Sequence, residues 1–115
     1  MEPTLFVGAT STMTIAREEI FGPVGTVIPF TDEQDAVALA NASDYALAAT
    51  LWTKDLSRAH TLARRVRAGA VAVNGWSPLD PRLPWGGSKL SGHGRELGWP
   101  AIEASTALKT VTVIL

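Results

Sequence analysis

Asp55-Leu56-Ser57-Arg58-Ala59-His60-Thr61-Leu62-Ala63-Arg64-Arg65-Val66-Arg67-Ala68-Gly69-Ala70-Val71-Ala72-Val73-Asn74 changes its period once along its length. Leu56, Ala59, Leu62, Ala63 and Val66 recur at helical spacing and form one apolar stripe. Asp55 stands where a carboxylate accepts from the first free amides of that helix. Arg64, Arg65 and Arg67 gather in its last turn, where positive charge offsets the helix dipole, and Gly69 offers a stop. Ala70 to Asn74 then reads as a strand.

The same alternation extends upstream. Val24 to Phe30 is β-rich, with Val27 and Ile28 at its centre. Thr31-Asp32-Glu33-Gln34 predicts a capping box in which the Thr31 hydroxyl accepts from the amide three residues on and Gln34 reaches back. Ala36, Leu39 and Ala40 fall on one face of the helix behind it. Asn41 to Tyr45 holds turn formers, and Ala48 to Trp52 is a second apolar run. The middle of the chain is therefore α/β, in the order strand, helix, strand, helix, strand. Strands buried on both faces and separated by helices predict a parallel sheet with right-handed crossovers. Ligands collect beyond the C-terminal ends of such strands.

After Asn74 no helical or strand period is legible for about twenty residues, and a loop of that length in a compact domain is usually functional or disordered. It carries Trp76, Trp85 and several prolines and glycines. Bulky aromatics argue against disorder, so this loop is the site candidate on physical grounds. The tail, Leu108-Lys109-Thr110-Val111-Thr112-Val113-Ile114-Leu115, alternates threonine and valine and predicts a C-terminal strand with one wet and one dry face. Such a strand pairs with a sheet edge, its own or a partner's.

Composition removes several classes. The 115 residues contain no cysteine, so disulfides and thiolate metal sites are excluded. A net charge of −1 gives no steering toward nucleic acid or an anionic membrane. No apolar run approaches the roughly 18 residues of a membrane span. Met1-Glu2-Pro3 is acidic and turn-like, unlike a secretory signal, and the expected location is cytoplasmic. His60 and His93 share no ligand spacing, so no metal site is expected. Gly92-His93-Gly94 leads to Leu97 where a dinucleotide fingerprint requires glycine. Ser88 and Ser91 lie in a glycine-rich loop without the GxSxG elbow of serine hydrolases.

Glu18-Glu19-Ile20-Phe21-Gly22-Pro23 and Pro84-Trp85-Gly86-Gly87-Ser88-Lys89-Leu90-Ser91-Gly92-His93-Gly94-Arg95-Glu96-Leu97-Gly98 together resemble the aldehyde dehydrogenase family. Asn41 to Ala48, Val71-Ala72-Val73-Asn74 and Lys109-Thr110-Val111 continue the likeness nearly end to end. The resemblance implies a partial aldehyde dehydrogenase fold. Residues 1–96 would be the C-terminal part of the catalytic domain, and residues 97–115 a helix and a terminal interface strand. In that family NAD or NADP oxidises an aldehyde to an acid. A cysteine thiolate attacks the aldehyde, hydride leaves to the nicotinamide, and water activated by a glutamate hydrolyses the thioester. The cysteine, the general base and the oxyanion asparagine belong to family sequence upstream of the matching region. No catalytic residue of that set is expected in this chain.

The resemblance also assigns supporting roles. Glu19 matches the carboxylate that binds the nicotinamide ribose hydroxyls, a task that suits an acceptor of two donors at once; otherwise it is a solvated glutamate. Phe21 matches the residue packed near the nicotinamide ring; otherwise it is a core aromatic. Leu79 and Trp85 match positions lining the aldehyde tunnel. Tryptophan at the second resembles a subset that includes betaine-aldehyde and aminoaldehyde dehydrogenases, and an indole face attracts a substrate cation; the alternative is that Trp85 fills space. Trp76 belongs to an aromatic box or to the core. Glu96 matches a glutamate near the water path to the general base, as a proton relay, or pairs with Arg95 at the start of the next helix. Asn74 is expected to tie down the loop through backbone hydrogen bonds.

Three readings follow. The chain is a C-terminal portion of an NAD(P)-dependent enzyme, inactive alone and weak or silent in cofactor binding; Met1 falls where the family continues unbroken, as if at an internal start. It is instead an assembly module, its terminal strand pairing with a homo-oligomer partner or a dehydrogenase subunit. Or it is a remnant whose mean hydropathy of +0.14 reflects uncovered apolar surface.

Overall fold

The computed structural model describes residues 2–76 and 79–115. Helix α3 (Leu56–Arg65) connects β4 (Ala48–Leu51) to β5 (Ala70–Val73), and the two strands pair in parallel from Ala48↔Ala70 to Leu51↔Val73. The Asp55 carboxylate caps α3 by accepting from the Arg58 amide at 3.0 Å, as its position predicts. Ala59 is buried, and Leu62, Ala63 and Val66 are half-buried against the strands, while Leu56 stays 72% exposed. The helix ends at Arg65, so Arg67 lies outside its last turn.

Gly69 is not the stop of α3. Val66 already has extended backbone there, its amide donating to the Leu62 carbonyl. Glycine is needed at position 69 for another reason: an added Cβ would stand 1.7 Å from the Gly86 carbonyl oxygen.

A second parallel pair precedes this one. β1 (Thr4–Val7) and β2 (Val24–Val27) run from Thr4↔Val24 to Val7↔Val27, with α1 (Thr14–Arg17) in the crossover. Sequence reasoning missed β1, although Leu5-Phe6-Val7 is a short apolar run. Helix α2 (Glu33–Ala42) follows, and its cap is shifted by one residue from the expected box. Asp32 accepts from the Asp35 amide at 2.9 Å. Asp35 returns the bond, accepting from the Thr31 amide at 2.9 Å and from the Thr31 hydroxyl at 3.2 Å. An aspartate outcompetes threonine as cap because its carboxylate is the stronger acceptor. The buried residue of α2 is Val37, with Ala40 exposed. Arg58 of α3 and Glu33 of α2 form an ion pair that joins the two helices.

The fold is mixed α/β with parallel pairing, but the single sheet expected from the alternation is two separate parallel pairs. The segment between α2 and β4 forms β3 (Tyr45–Ala46), which pairs antiparallel with β6 (Ser88–Lys89) of the site loop. Nor are the strands buried on both faces. Among the described residues the buried hydrophobic side chains are Ala9, Val37, Ala46 and Ala59. The radius of gyration is 18.7 Å, against about 13 Å for a compact domain of roughly 100 residues. Helix α4 (Gly98–Ala104) precedes a tail in which Val111 and Val113 are 72% and 74% exposed. The tail pairs with no strand among the described residues, so it has no dry face in the isolated chain. No helix among those residues is long and apolar enough to cross a membrane.

Candidate functional site

The C-terminal tips of β4 and β5 are locked by one side chain. Asn74 adopts φ 57°, a left-handed conformation that asparagine tolerates better than most residues. Its amide nitrogen donates to the Thr53 carbonyl at 2.7 Å, and its Oδ1 accepts from the Thr53 amide at 2.8 Å. The side chain thus acts as an extra peptide unit beyond the paired strands. The expectation that Asn74 anchors the loop holds, with the anchor on the end of β4.

Residues 79–98 then fold back twice. Arg82 grips Asp80 through three side-chain bonds, Nε to Oδ1 at 2.9 Å and to Oδ2 at 3.3 Å and a terminal nitrogen to Oδ2 at 2.7 Å. The Arg82 side chain, and next its backbone amide, hold the Asp80 carboxyl below its usual pKa. The Gly98 amide donates to the Pro81 carbonyl at 2.9 Å, which brings the start of α4 onto this turn. Trp85 and Glu96 exchange both backbone bonds, each 2.7 Å, as an antiparallel pair. Residues facing each other in such a pair project to the same side.

Two clefts flank Trp85. One, of about 280 Å³, is lined by Val71, Leu79, Leu83, Pro84, Trp85 and Leu97 among others. The other, of about 290 Å³, includes Leu47, Trp85, Ser91, His93, Arg95 and Glu96. The fold therefore brings Leu79 to Trp85 on one side and Glu96 to Trp85 on the other. Leu83, Pro84 and Leu97 are apolar wall residues that sequence reasoning missed; Leu83-Pro84 beside Trp85 was the available signal. The stretch between Trp76 and Leu79 lies outside the described residues.

The alternative of an Arg95–Glu96 ion pair is not realised. One terminal nitrogen of Arg95 donates to the Gly87 carbonyl and to the Gly94 carbonyl, the latter at 2.8 Å. Glu96 does not open a helix either, since α4 starts at Gly98 with Leu97 as its cap. The backbone pairing with Trp85 holds Glu96 in an extended segment instead.

Glu19 and Phe21 sit apart, in the link between α1 and β2. Phe21 has φ 54° and is 94% exposed, so it is not a core aromatic in this chain. Glu19 is exposed. Neither lines the two clefts at Trp85. Trp76 is 77% exposed and does not serve the core.

The aldehyde dehydrogenase family model matches residues 1–111. NADP/NAD-dependent aldehyde dehydrogenase PuuC of Escherichia coli K12 is 49% identical over 113 residues, covering 98% of this chain and 23% of that protein. Betaine aldehyde dehydrogenase 2 of Rhizobium meliloti is 51% identical over 112 residues, covering 97% of this chain and 23% of that protein. The indole-3-acetaldehyde dehydrogenase AldA of P. syringae, solved as a mutant with NAD+ and IAA, superimposes with a TM-score of 0.92 at 46% identity. That match covers 99% of this chain and 23% of the solved one. The chain thus spans less than a quarter of the length of these relatives.

Proposed function

This chain belongs to the aldehyde dehydrogenase family, and we propose that it supplies one wall of the cofactor site and of the aldehyde tunnel in an NAD(P)-dependent aldehyde oxidation. The observation that carries this reading is the paired bridge at Trp85 and Glu96, which sets an indole between two clefts beside the N-terminal ends of β4 and β5, at Leu47 and at Gly69 to Val71, rather than beyond the C-terminal ends where the sequence predicts ligands to collect. In this reading Leu79 and Trp85 form the aldehyde wall. The indole face favours a cationic aldehyde of the betaine or aminoaldehyde kind by cation–π attraction. Glu96, exposed at the edge of the second cleft, relays protons through water.

NAD or NADP supplies the hydride acceptor when bound. Glu19 fits its ribose: among the described residues, no hydrogen bond or ion pair occupies the Glu19 carboxylate, which leaves both oxygens to accept from a diol. Phe21 fits beside the nicotinamide ring, since its side chain stands clear of the fold. These two groups orient the cofactor but offer few contacts, so the chain alone binds it weakly or not at all. With no cysteine in its sequence, the chain lacks the covalent route to an acyl intermediate and is inactive by itself. We assign residues 1–96 to the catalytic domain and 97–115 to an interface arm, and place the protein in the cytoplasm.

The test is complementation. The chain is mixed with a polypeptide matching the upstream three quarters of a relative, and NADH formation is followed with betaine aldehyde. Turnover that appears only in the mixture, and that falls with Glu19→Ala through a raised cofactor KM, supports the reading. A silent mixture whose partners demonstrably associate would defeat it.

A second reading has its own observation. Val111, Val113 and Leu115 are exposed on a segment with no strand partner among the described residues. In this reading the tail pairs with the sheet edge of another subunit, a homo-oligomer partner or a dehydrogenase chain. A strict monomer by sedimentation, indifferent to added full-length enzyme, would exclude it.

A further inference from the structure

We propose that Asn41 and Lys89 form a three-way staple that positions the Trp85–Glu96 arm, which makes Lys89 the positioning residue of the aldehyde wall; this rests on reading Trp85 as that wall. Helix α2 ends without a basic residue in its last turn. Its terminal carbonyls have no partner within the helix, and its C-terminal dipole end is left uncompensated. Lys89 supplies both from far along the chain. Its ammonium donates to the Asn41 carbonyl at 2.9 Å and to the Ser43 carbonyl at 2.6 Å.

Lys89 meets this geometry at φ 56°, where a lysine is disfavoured because its Cβ crowds the carbonyl that follows. A strained residue of this kind persists only where surrounding contacts over-determine it. Those contacts are present. Tyr45 pairs with Lys89 and Ala46 with Ser88. The Leu90 amide donates to the Asp44 carbonyl at 3.0 Å, and the Ala46 amide donates to the Ser91 hydroxyl at 3.0 Å.

The side chain of Asn41 completes the staple. Its amide donates to the Arg65 carbonyl at 2.9 Å, and its Oδ1 accepts from the Arg67 amide at 2.7 Å. One residue therefore ties the end of α2 to the exit of α3 and, through Lys89, to the site loop. Both ties converge on Gly86 and Gly87, the two residues that follow Trp85. From the α3 exit, Gly69 meets the Gly86 carbonyl so closely that a Cβ would overlap it. From β3, the Ala46 carbonyl and Leu47 Cα lie 3.1 and 3.2 Å from where a Gly87 Cβ would stand. The arm is thereby held from two sides just after the indole.

Hydrogen exchange on the 115-residue chain tests this without aldehyde or cofactor. Lys89→Met is expected to speed exchange of the Leu90, Trp85 and Glu96 amides about tenfold, the loss implied by removing a charge-assisted donor. The β1–β2 amides should keep their rates, and Lys89→Arg should restore protection at the arm. Unchanged Trp85 and Glu96 amides, an equal rise across β1 and β2, or failure of arginine to rescue would each overturn the proposal. Should Lys89→Met not fold, the unaltered chain still decides. The Arg67, Leu90, Trp85 and Glu96 amides are expected to open as one unit, distinct from β1–β2. Independent opening would overturn the staple. Failure here leaves the dehydrogenase reading standing, since complementation tests that separately.

Discussion

Trp85 borders both clefts of the site loop, and its replacement tests the proposed aldehyde-wall role. In the complemented enzyme, Trp85→Leu should raise the KM for a quaternary-ammonium aldehyde by roughly 2- to 30-fold, the equivalent of about 0.5–2 kcal/mol of cation–π attraction. A neutral aldehyde of similar length should shift much less; equal shifts would show that the indole only fills space. Gly69 makes a steric prediction. An alanine there meets the Gly86 carbonyl oxygen at 1.7 Å unless backbone moves, and overpacking of this kind costs about 1–3 kcal/mol, readable as a lower urea midpoint. Asp80 makes a pH prediction. Its pKa is lowered in the fold, chiefly by the Arg82 side chain. The 80–82 turn is therefore fully supported above the ordinary carboxylate pKa and loses that support as pH falls through the depressed value. The protection of the Leu83 amide, whose N–H donates to the Asp80 carbonyl, measured relative to the unstructured amide at each pH, should fall over that acid range and be flat above it.

At the scale of elements, the two ten-residue helices depend on different caps. Asp55→Ala removes a single acceptor at the start of α3 and should cost about 1 kcal/mol, seen as lost helical circular dichroism and a lower melting point. Asp35→Ala should weaken α2 comparably, because Asp35 anchors Thr31 from inside the first turn. Gln34→Ala should be silent, although Thr31-Asp32-Glu33-Gln34 has the lettering of a capping box. A loss for Gln34 matching that for Asp35 would contradict the shifted cap. The parallel β4–β5 pair follows from the same local logic. A capped, striped helix between two apolar runs leaves few other ways to bring the runs together.

For the molecule as a whole, the decisive quantity is how little is covered. Phe6, Val7, Phe30, Trp52, Trp76 and Leu79 are all at least 44% exposed, and only four hydrophobic residues are buried among those described. An apolar surface of that extent binds partners or dyes. The isolated chain should bind an anilinonaphthalene dye strongly and oxidise no aldehyde above a denatured control. Addition of the upstream polypeptide should release the dye as NADH formation begins. Dye-free, sharply cooperative melting of the chain alone would show a self-sufficient domain instead.

Sequence alone determined what depends on neighbours a few positions apart: the α3 stripe, the Asp55 cap, the β4–β5 runs, the unpatterned loop after Asn74 and the absence of a thiol. It also carried the family likeness, because motif residues such as Glu19 and Trp85 are legible in one dimension. Where those residues stand was decided by contacts between distant segments. Trp85 faces Glu96 through a backbone bridge that no side-chain pattern announces, β3 takes the site loop as its partner, and the expected sheet is two separate parallel pairs. Gly69 reads as a helix stop until Gly86 is seen against it, and nothing in the spacing of Lys89 announces that its ammonium reaches the open end of α2. Caps and stripes are local free-energy choices, whereas clefts and staples form where loop closure brings together groups whose attraction has no signature in sequence spacing.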